Sequence, residues 1–445
     1  MTRAIEAFFV RHRDRLVWLH AAMAVVFVCV IVVPVFLPDP PGDATPLTHW
    51  TTFANFALWG LWFPLVFLSV IVTGRSWCGL LCPMGAAAEW ANRKGPQRAI
   101  PGWLRWEGTP VVSFLVVTIL GQTVGVRDHP EAALEVFGGT LLAAIALGWL
   151  YGRKKRAWCR HACPIGLLLG VFSRLGAVQF APRIKREGGD TWTEKGVCPT
   201  MIDLSRKEES RHCIECFRCV NPQAKGAVEL RLRPPGREVE DIAGHNPNAA
   251  EVWFLFLGSG VAVGGFLWLV LPLFQELRQA FGVWAIEHDA LWLAEPGPWW
   301  LMSNHPDRRE VFLGLDFLLI VGFMAGVMAA LTTVLAGLTA LAAVLARGTL
   351  PFRRRFVELG YQYAPVSMVS LVVGLGGTLF VPLGAWAGAA KGVLFLLGIA
   401  WSLRLGWRIL ARQGITGPAR ITALAPGLVG TSMVALAWWP AIFGL

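Results

Sequence analysis

The chain has 445 residues, 55% hydrophobic and 16% charged, with a formal net charge of +11. Soluble domains carry about 25% charged residues. This balance excludes a disordered chain, a collagen-like chain and a small disulfide scaffold, and it exceeds the apolar content that a single soluble core needs. The 22 Trp fit a membrane protein, in which Trp sits at the water–lipid interface.

The first apolar run begins near Leu16 behind four Arg and continues for about 21 residues, longer than the apolar core of a signal peptide at roughly 7–15. No cleavable signal peptide is therefore expected. A membrane-crossing helix needs roughly 20 apolar residues. Nine runs qualify, near 16–37, 53–73, 109–126, 136–152, 251–272, 311–346, 362–384, 390–405 and 421–441. The sixth is too long for one upright span and must tilt or extend past the bilayer.

Alternating the loops sorts the basic residues. Segments 1–15, 74–108, 153–250, 347–360 and 404–420 hold 35 Lys and Arg, whereas the other loops hold 5. Positive charge stays cytoplasmic, so the N-terminus is expected inside and the C-terminus in the periplasm. The +11 is then mostly an orientation signal, and no motif for reading nucleic acid accompanies it. The fold class expected is an all-α polytopic membrane protein with a small cytoplasmic ferredoxin-like insert. Residues 1–178 form a four-span domain, 179–250 the insert, and 251–445 a five-span domain.

Of the nine Cys, eight fall in short-spaced groups and Cys29 stands alone. Arg75–Gly85 and Arg156–Gly166 share the pattern R-x-W-C-x3-C-P-x-G, 81 residues apart. Each copy follows a span that runs outside to inside, so the repeat is parallel. Cys at i and i+4 share one helix face. Cys78, Cys82, Cys159 and Cys163 could thus supply four thiolates, suited to an iron–sulfur cluster, copper or zinc. Arg75 and Arg156, three residues ahead, would favour thiolate. Redox dithiols, or small Cys buried at a duplicated helix end, are the alternatives.

The insert carries Cys213, Cys216 and Cys219 as C-x2-C-x2-C, the start of the bacterial ferredoxin run. In two-cluster ferredoxins the fourth Cys of each run serves the other cluster. Cys198-Pro199 looks like the end of an earlier run. The remaining positions of a second cluster hold Gly188, Thr191, Glu194 and Gln223. One surviving 4Fe–4S cluster is expected at Cys198, Cys213, Cys216 and Cys219. A zinc site fits the triplet less well, since zinc ligands usually come as two pairs.

With these motifs the chain resembles the membrane-bound polyferredoxin-type proteins, the group of the NapH, NosR and CcoG proteins. The resemblance rests on the two C-x3-C-P pairs and on Cys198-Pro-Thr-Met-Ile-Asp with the 213–219 triplet, and covers roughly residues 15–225. It implies electron transfer between the membrane or cytoplasm, including a quinol pool, and a periplasmic acceptor or metal centre. A related polyferredoxin component works beside bacterial ferrous-iron permeases. The partner is therefore expected to be a redox protein or a metal-uptake component. The competing reading is metal handling, with the paired cysteines binding or reducing copper or iron. The family usually has two ferredoxin clusters, and this chain has ligands for one. No flavin-attachment or haem C-x-x-C-H motif is present, and no general acid or base is assigned.

Other residues carry weaker signals. His20 lies in the first span and could ligate haem or quinone, or simply pack. His161 has no counterpart in the first repeat copy, where Leu81 stands. His288 and His305 lie on an outer loop with Trp292, Trp299 and Trp300, suited to lipid anchoring or docking. Asp316 is either a functional intramembrane carboxylate or an interfacial one. Gly258, Gly260, Gly264 and Gly265 read as a close helix crossing.

Overall fold

The structure is a computed structural model that describes residues 2–153, 155–183, 197–221, 226–308 and 310–444. Gly188, Thr191, Glu194 and Gln223, where a second cluster would need ligands, lie outside the described residues. The protein is an all-α polytopic membrane protein. Eight described helices are long and apolar enough to cross a membrane: Thr2–Phe36, Trp50–Thr73, Pro130–Leu150, Ala249–Val270, Gly314–Leu345, Phe352–Leu375, Gly377–Arg412 and Gly417–Ala437. The third predicted span is a shorter apolar helix, Thr109–Thr123. At 1.5 Å per residue it reaches about 22 Å, short of a hydrocarbon core of about 30 Å. Gly125, at φ +69°, turns the chain just after it. We number the spans one to nine in chain order, counting this helix as the third.

The sixth span is one unbroken helix of 32 residues, Gly314–Leu345. The seventh ends sooner than its apolar run. Its helix stops at Leu375, and Gly377–Trp386 forms tight turns broken at Gly384 before the eighth begins. The glycines of the fifth span mark a close crossing, as expected. A Cβ on Gly260 would lie 2.8 Å from Met328 Cα, and one on Gly264 3.1 Å from Met324 Cα, both in the sixth span.

Polar contacts sort the loops into the same two sets as the basic residues. At one end Glu107 joins Asn248 at 2.6 Å, Glu240 joins Arg404 at 3.4 Å and Asp241 joins Arg412 at 2.6 Å. At the other, His129 meets Glu310 at 3.1 Å, Asp39 meets Arg308, and Arg127 donates to Gly374 O at 2.7 Å. Asp316 belongs to this second end. It accepts from Leu313 N at 2.9 Å and from Arg278 at 2.6 Å, capping the start of the sixth span. This capping and pairing fit the interfacial role.

The insert is built on a two-stranded antiparallel sheet, Val178–Pro182 against Val228–Leu232, with Phe180 opposite Leu230. Buried ion pairs hold it to the fifth span. Arg174 reaches Glu238 at 2.9 Å and Glu251 at 3.0 Å, all three without exposed side-chain surface. Such a group is costly to form and costlier to break, because removing one member strands a buried charge.

Candidate iron–sulfur site

All eight grouped cysteines lie at one end of the bundle, in two adjoining sites. In the insert, Glu215 and Phe217 have φ of +53° and +57°, left-handed values that non-glycine residues rarely adopt. This coiling winds the 213–219 loop so that Cys213, Cys216 and Cys219, together with Cys198, line one space of about 350 Å³. Its other walls include Phe180, Ile202 and Phe217. Thr200 Oγ1 lies 3.4 Å from Cys198 Sγ. Burial pushes the Cys213 thiol up to about 12 and raises Cys216 and Cys219. Metal binding must release these protons. A four-thiol lining in an apolar pocket suits an iron–sulfur cluster, which is held by four cysteine thiolates and tuned by burial. The residues present fit the group. Among the described residues no three His, Cys, Asp or Glu converge as a site for one metal ion. A single zinc would need ligand atoms drawn to about 2.3 Å, whereas a multi-iron cluster holds its ligands farther apart.

The repeat cysteines form the second site. The thiols of Cys78, Cys82, Cys159 and Cys163 lie near enough to act on one another electrostatically. A Cβ on Gly85 would sit 3.1 Å from Cys159 Sγ, so glycine at this repeat position lets one copy approach the other. The i, i+4 pairs do not share a continuous helix. A wide turn spans Trp77–Leu81 and Cys82 is already extended, at ψ 115°. In the second copy the helix ends at His161, before Cys163. The prolines that follow account for this, since they disfavour α conformation at the preceding residue. Arg156 does not tip Cys159 toward thiolate. Burial outweighs Arg156 and pushes Cys159 up to about 12, and burial with Cys78 takes Cys82 to about 11. Arg75 Nη2 stands 4.0 Å from Cys78 Sγ.

Each repeat copy is fastened to the insert. On the first copy, Gly79 packs on the cluster loop. A Cβ there would lie 2.1 Å from Ile214 O and 2.9 Å from Cys216 N. On the second, Lys155 donates to Cys198 O at 2.9 Å, Arg156 N to Pro199 O at 2.8 Å and Arg160 to Thr200 O at 2.6 Å. Arg156 also donates to Cys78 O at 2.9 Å and pairs with Glu89 at 2.7 Å. Arg218 adds a second partner at 2.7 Å, and these charges, working against burial, hold Glu89 down to about 2. Gly74, at φ +59°, leaves room for the Glu215 carboxyl. Burial raises that group to about 8 despite Lys207, Arg75 and Arg233.

The other singled-out residues separate. His20 points its Nε2 at Gly79 O, 3.1 Å away, and is buried. His161 is half-buried, and burial with Arg160 and Arg105 lowers it to about 4. His288 stacks on Trp284, while His305 stacks on His129 with centroids 3.8 Å apart. Cys29 is free, about 13 Å along the first helix from His20. The N-terminal helix Thr2–His12 is part of the site, which sequence reasoning missed. Phe9 stacks on Phe217 at 3.9 Å, and Glu6 accepts from Leu230 N at 2.6 Å. Its Glu6 and Phe9, an acid and an aromatic placed one turn apart before the first span, were the available signal.

Fold and site together define a multi-span membrane protein with an iron–sulfur type of cysteine site at one face. Comparison with known proteins agrees. A family described as "4Fe-4S binding domain" matches residues 56–105 and 136–183, one match for each C-x3-C-P copy. Neither match takes in Cys198–Cys219. The ferredoxin-type protein NapH of Haemophilus influenzae is 28% identical over 192 residues, 38% of this chain and 66% of that protein. The methylamine utilization ferredoxin-type protein MauN of Methylorubrum extorquens is 28% identical over 151 residues, 30% of this chain and 49% of that one. An uncharacterized protein of Methanocaldococcus jannaschii is 24% identical over 164 residues, 36% and 65% of the two chains. The chain thus spans less than two thirds of the length of these relatives. No solved structure matches. Over its N-terminal half the chain is thus similar to the membrane polyferredoxin-type proteins.

Proposed function

We propose that this is an inner-membrane iron–sulfur electron-transfer protein. Cys198, Cys213, Cys216 and Cys219 hold one 4Fe–4S cluster, and Cys78, Cys82, Cys159 and Cys163 hold the next carrier. The observation that carries the reading is the contact of Gly79, between the first two repeat cysteines, with the backbone of Ile214 and Cys216 in the cluster loop. A cluster supplies one-electron storage when bound. The chain's own residues set its burial, fix the two sites side by side and pair the surrounding charges through Arg156, Glu89 and Arg218. The 4Fe–4S description of the family that matches both repeat copies supports a second cluster there over copper. A cleft of about 1090 Å³ bordered by His20, Gly79, Glu89, Arg93, Cys216 and Arg218 opens on the junction of the first repeat copy with the cluster loop. It is the place where a cytoplasmic or quinol donor would meet them. A redox protein or metal-uptake component in the membrane or periplasm would be the partner. The charge distribution supports a cytoplasmic cysteine face, an inside N-terminus and a periplasmic C-terminus.

Iron and acid-labile sulfide in anaerobically purified protein test this. About four iron atoms per chain mean one cluster and about eight mean two. Cys213→Ser should abolish the reduced-state EPR signal of the insert cluster, and an unchanged spectrum would overturn the ligand assignment. Copper at the repeat, with four irons, would favour the metal-handling reading instead.

A further inference from the structure

The five C-terminal spans contain a polar seam that plays no part in holding the cysteines. It runs along the seventh span, the most fully buried of the eight long spans. At the inner end Glu358, 1% exposed, accepts from Gln413 Nε2 at 2.8 Å and from Arg354 at 2.8 Å. One turn on, Gln362 is 1% exposed and its Nε2 has no partner. Two glycines from neighbouring spans make room for its amide. A Cβ on Gly406 or on Gly427 would lie 2.4 Å from Gln362 Oε1. The Tyr363 hydroxyl fills a third such slot, at Gly430. Above it Ser367 bonds Ser259 at 2.8 Å, and Ser370 accepts from Trp438 Nε1 at 2.7 Å.

The seam ends at Gly374 and Arg127. Arg127 donates to Gly374 O at 2.7 Å and to Leu375 O at 3.0 Å, and its guanidinium lies 4.8 Å from both the Trp59 and Phe266 rings. Phe266 in turn packs on Trp438, with centroids 5.1 Å apart. Beyond Arg127 a pocket of about 390 Å³ holds Asn55, Asp128 and His129 in its wall.

We infer that the C-terminal bundle carries a proton path, from Glu358 through Gln362, Ser367 and Ser370, closed at its outer end by Arg127 over Phe266 and Trp438. Three observations favour protons over metal cations. The polar groups follow one another at steps of three to five residues along the seventh span, about 4.5 to 7.5 Å of rise, so one or two waters could bridge each step. Hard cations need six or more oxygens gathered at one level, and no level of the seam offers that. Membrane proton relays start from ionisable groups such as Glu, and the buried Glu358 carboxylate stands at the inner mouth of the seam. A fixed guanidinium excludes protons and cations electrostatically, so the structure is the closed state. Simple helix glue, the alternative use of buried Ser and Gln, does not account for the unpartnered Gln362 amide set between two glycines.

The test uses the whole protein in liposomes loaded with a pH-sensitive dye, with a potassium gradient and valinomycin setting the potential. Wild-type protein should acidify or alkalinise the lumen little faster than empty liposomes. Arg127→Gln should raise the rate about tenfold or more by removing the electrostatic block. Gln362→Leu or Ser367→Ala added to Arg127→Gln should return it to the wild-type level. Retention of a trapped anionic dye controls for leaky vesicles. Should Arg127→Gln fail to reconstitute, Phe266→Ala opens the same end and is read identically. Flux at the wild-type level in the opened variant, or flux that survives Gln362→Leu and Ser367→Ala, overturns the inference.

Discussion

Replacing Gly79 by Ala probes the junction of the two cysteine sites. The added Cβ would lie 2.1 Å from Ile214 O, 2.9 Å from Cys216 N and 3.0 Å from Cys216 Cα. All three neighbours are backbone atoms of the cluster loop, so no side chain can rotate away. The loop must retreat by about an ångström, and overpacking of this kind costs about 1–3 kcal/mol. Backbone neighbours place Gly79→Ala toward the upper part of that range. Gly139→Ala is the matched control, since nothing lies within 4 Å of its Cβ and it sits in a helix. There Ala should stabilise by roughly 0.5–1 kcal/mol through lost chain entropy. Thermal melts in detergent, followed by cluster absorbance and by Trp fluorescence, compare the two. The expected result is a lower midpoint for Gly79→Ala in both signals, with iron content reduced. A Gly79→Ala protein that melts with wild type and keeps its full iron would refute the packing of the repeat on the cluster loop.

Other outcomes follow from the buried charges and from the loop pattern. Arg156→Gln should destabilise by about 3 kcal/mol, the lower end for breaking a buried pair, because Glu89 keeps Arg218; a melting midpoint equal to wild type would contradict it. Glu238 is held at about 2 against an ordinary 4.5; burial alone would raise it, and Arg174 and Arg233 more than offset that. Its folded value lies below its unfolded one, so its contribution is complete above pH 4.5 and is lost as pH falls toward 2, about 3 kcal/mol in all. Glu238→Gln should flatten stability across that acid window, and an unaltered acid transition would count against the assignment. An alkaline phosphatase fusion at Pro247 should be inactive and one at Gly444 active, and the reverse pattern would invert the proposed orientation.

Much of the membrane architecture is legible in the chain because span formation depends on local composition. Apolar runs of the right length became helices at all nine places, and only their ends moved. Thr109–Thr123 fell short where Gly125 turns the backbone, and the seventh span ended at Leu375 although its apolar run continued. The cysteine groups were equally legible, since a spacing is a sequence property. The helical geometry assigned to the repeat was not, because Pro83 and Pro164 end each turn before the second cysteine. The N-terminal helix escaped notice for another reason. Its role comes from Phe9 on Phe217 and Glu6 on Leu230, contacts more than 200 residues apart.

Composition by itself determined that the chain lives in a membrane, and that its basic loops and all eight grouped cysteines share a side. Both are sums over residues, indifferent to how the helices meet. Tertiary structure alone decided that Gly79 touches Cys216, that Arg156 joins both cysteine sites, and that Gln362 lies between two glycines. Each depends on backbones from distant parts of the chain approaching within a few ångströms, a distance fixed by packing and not by spacing along the sequence.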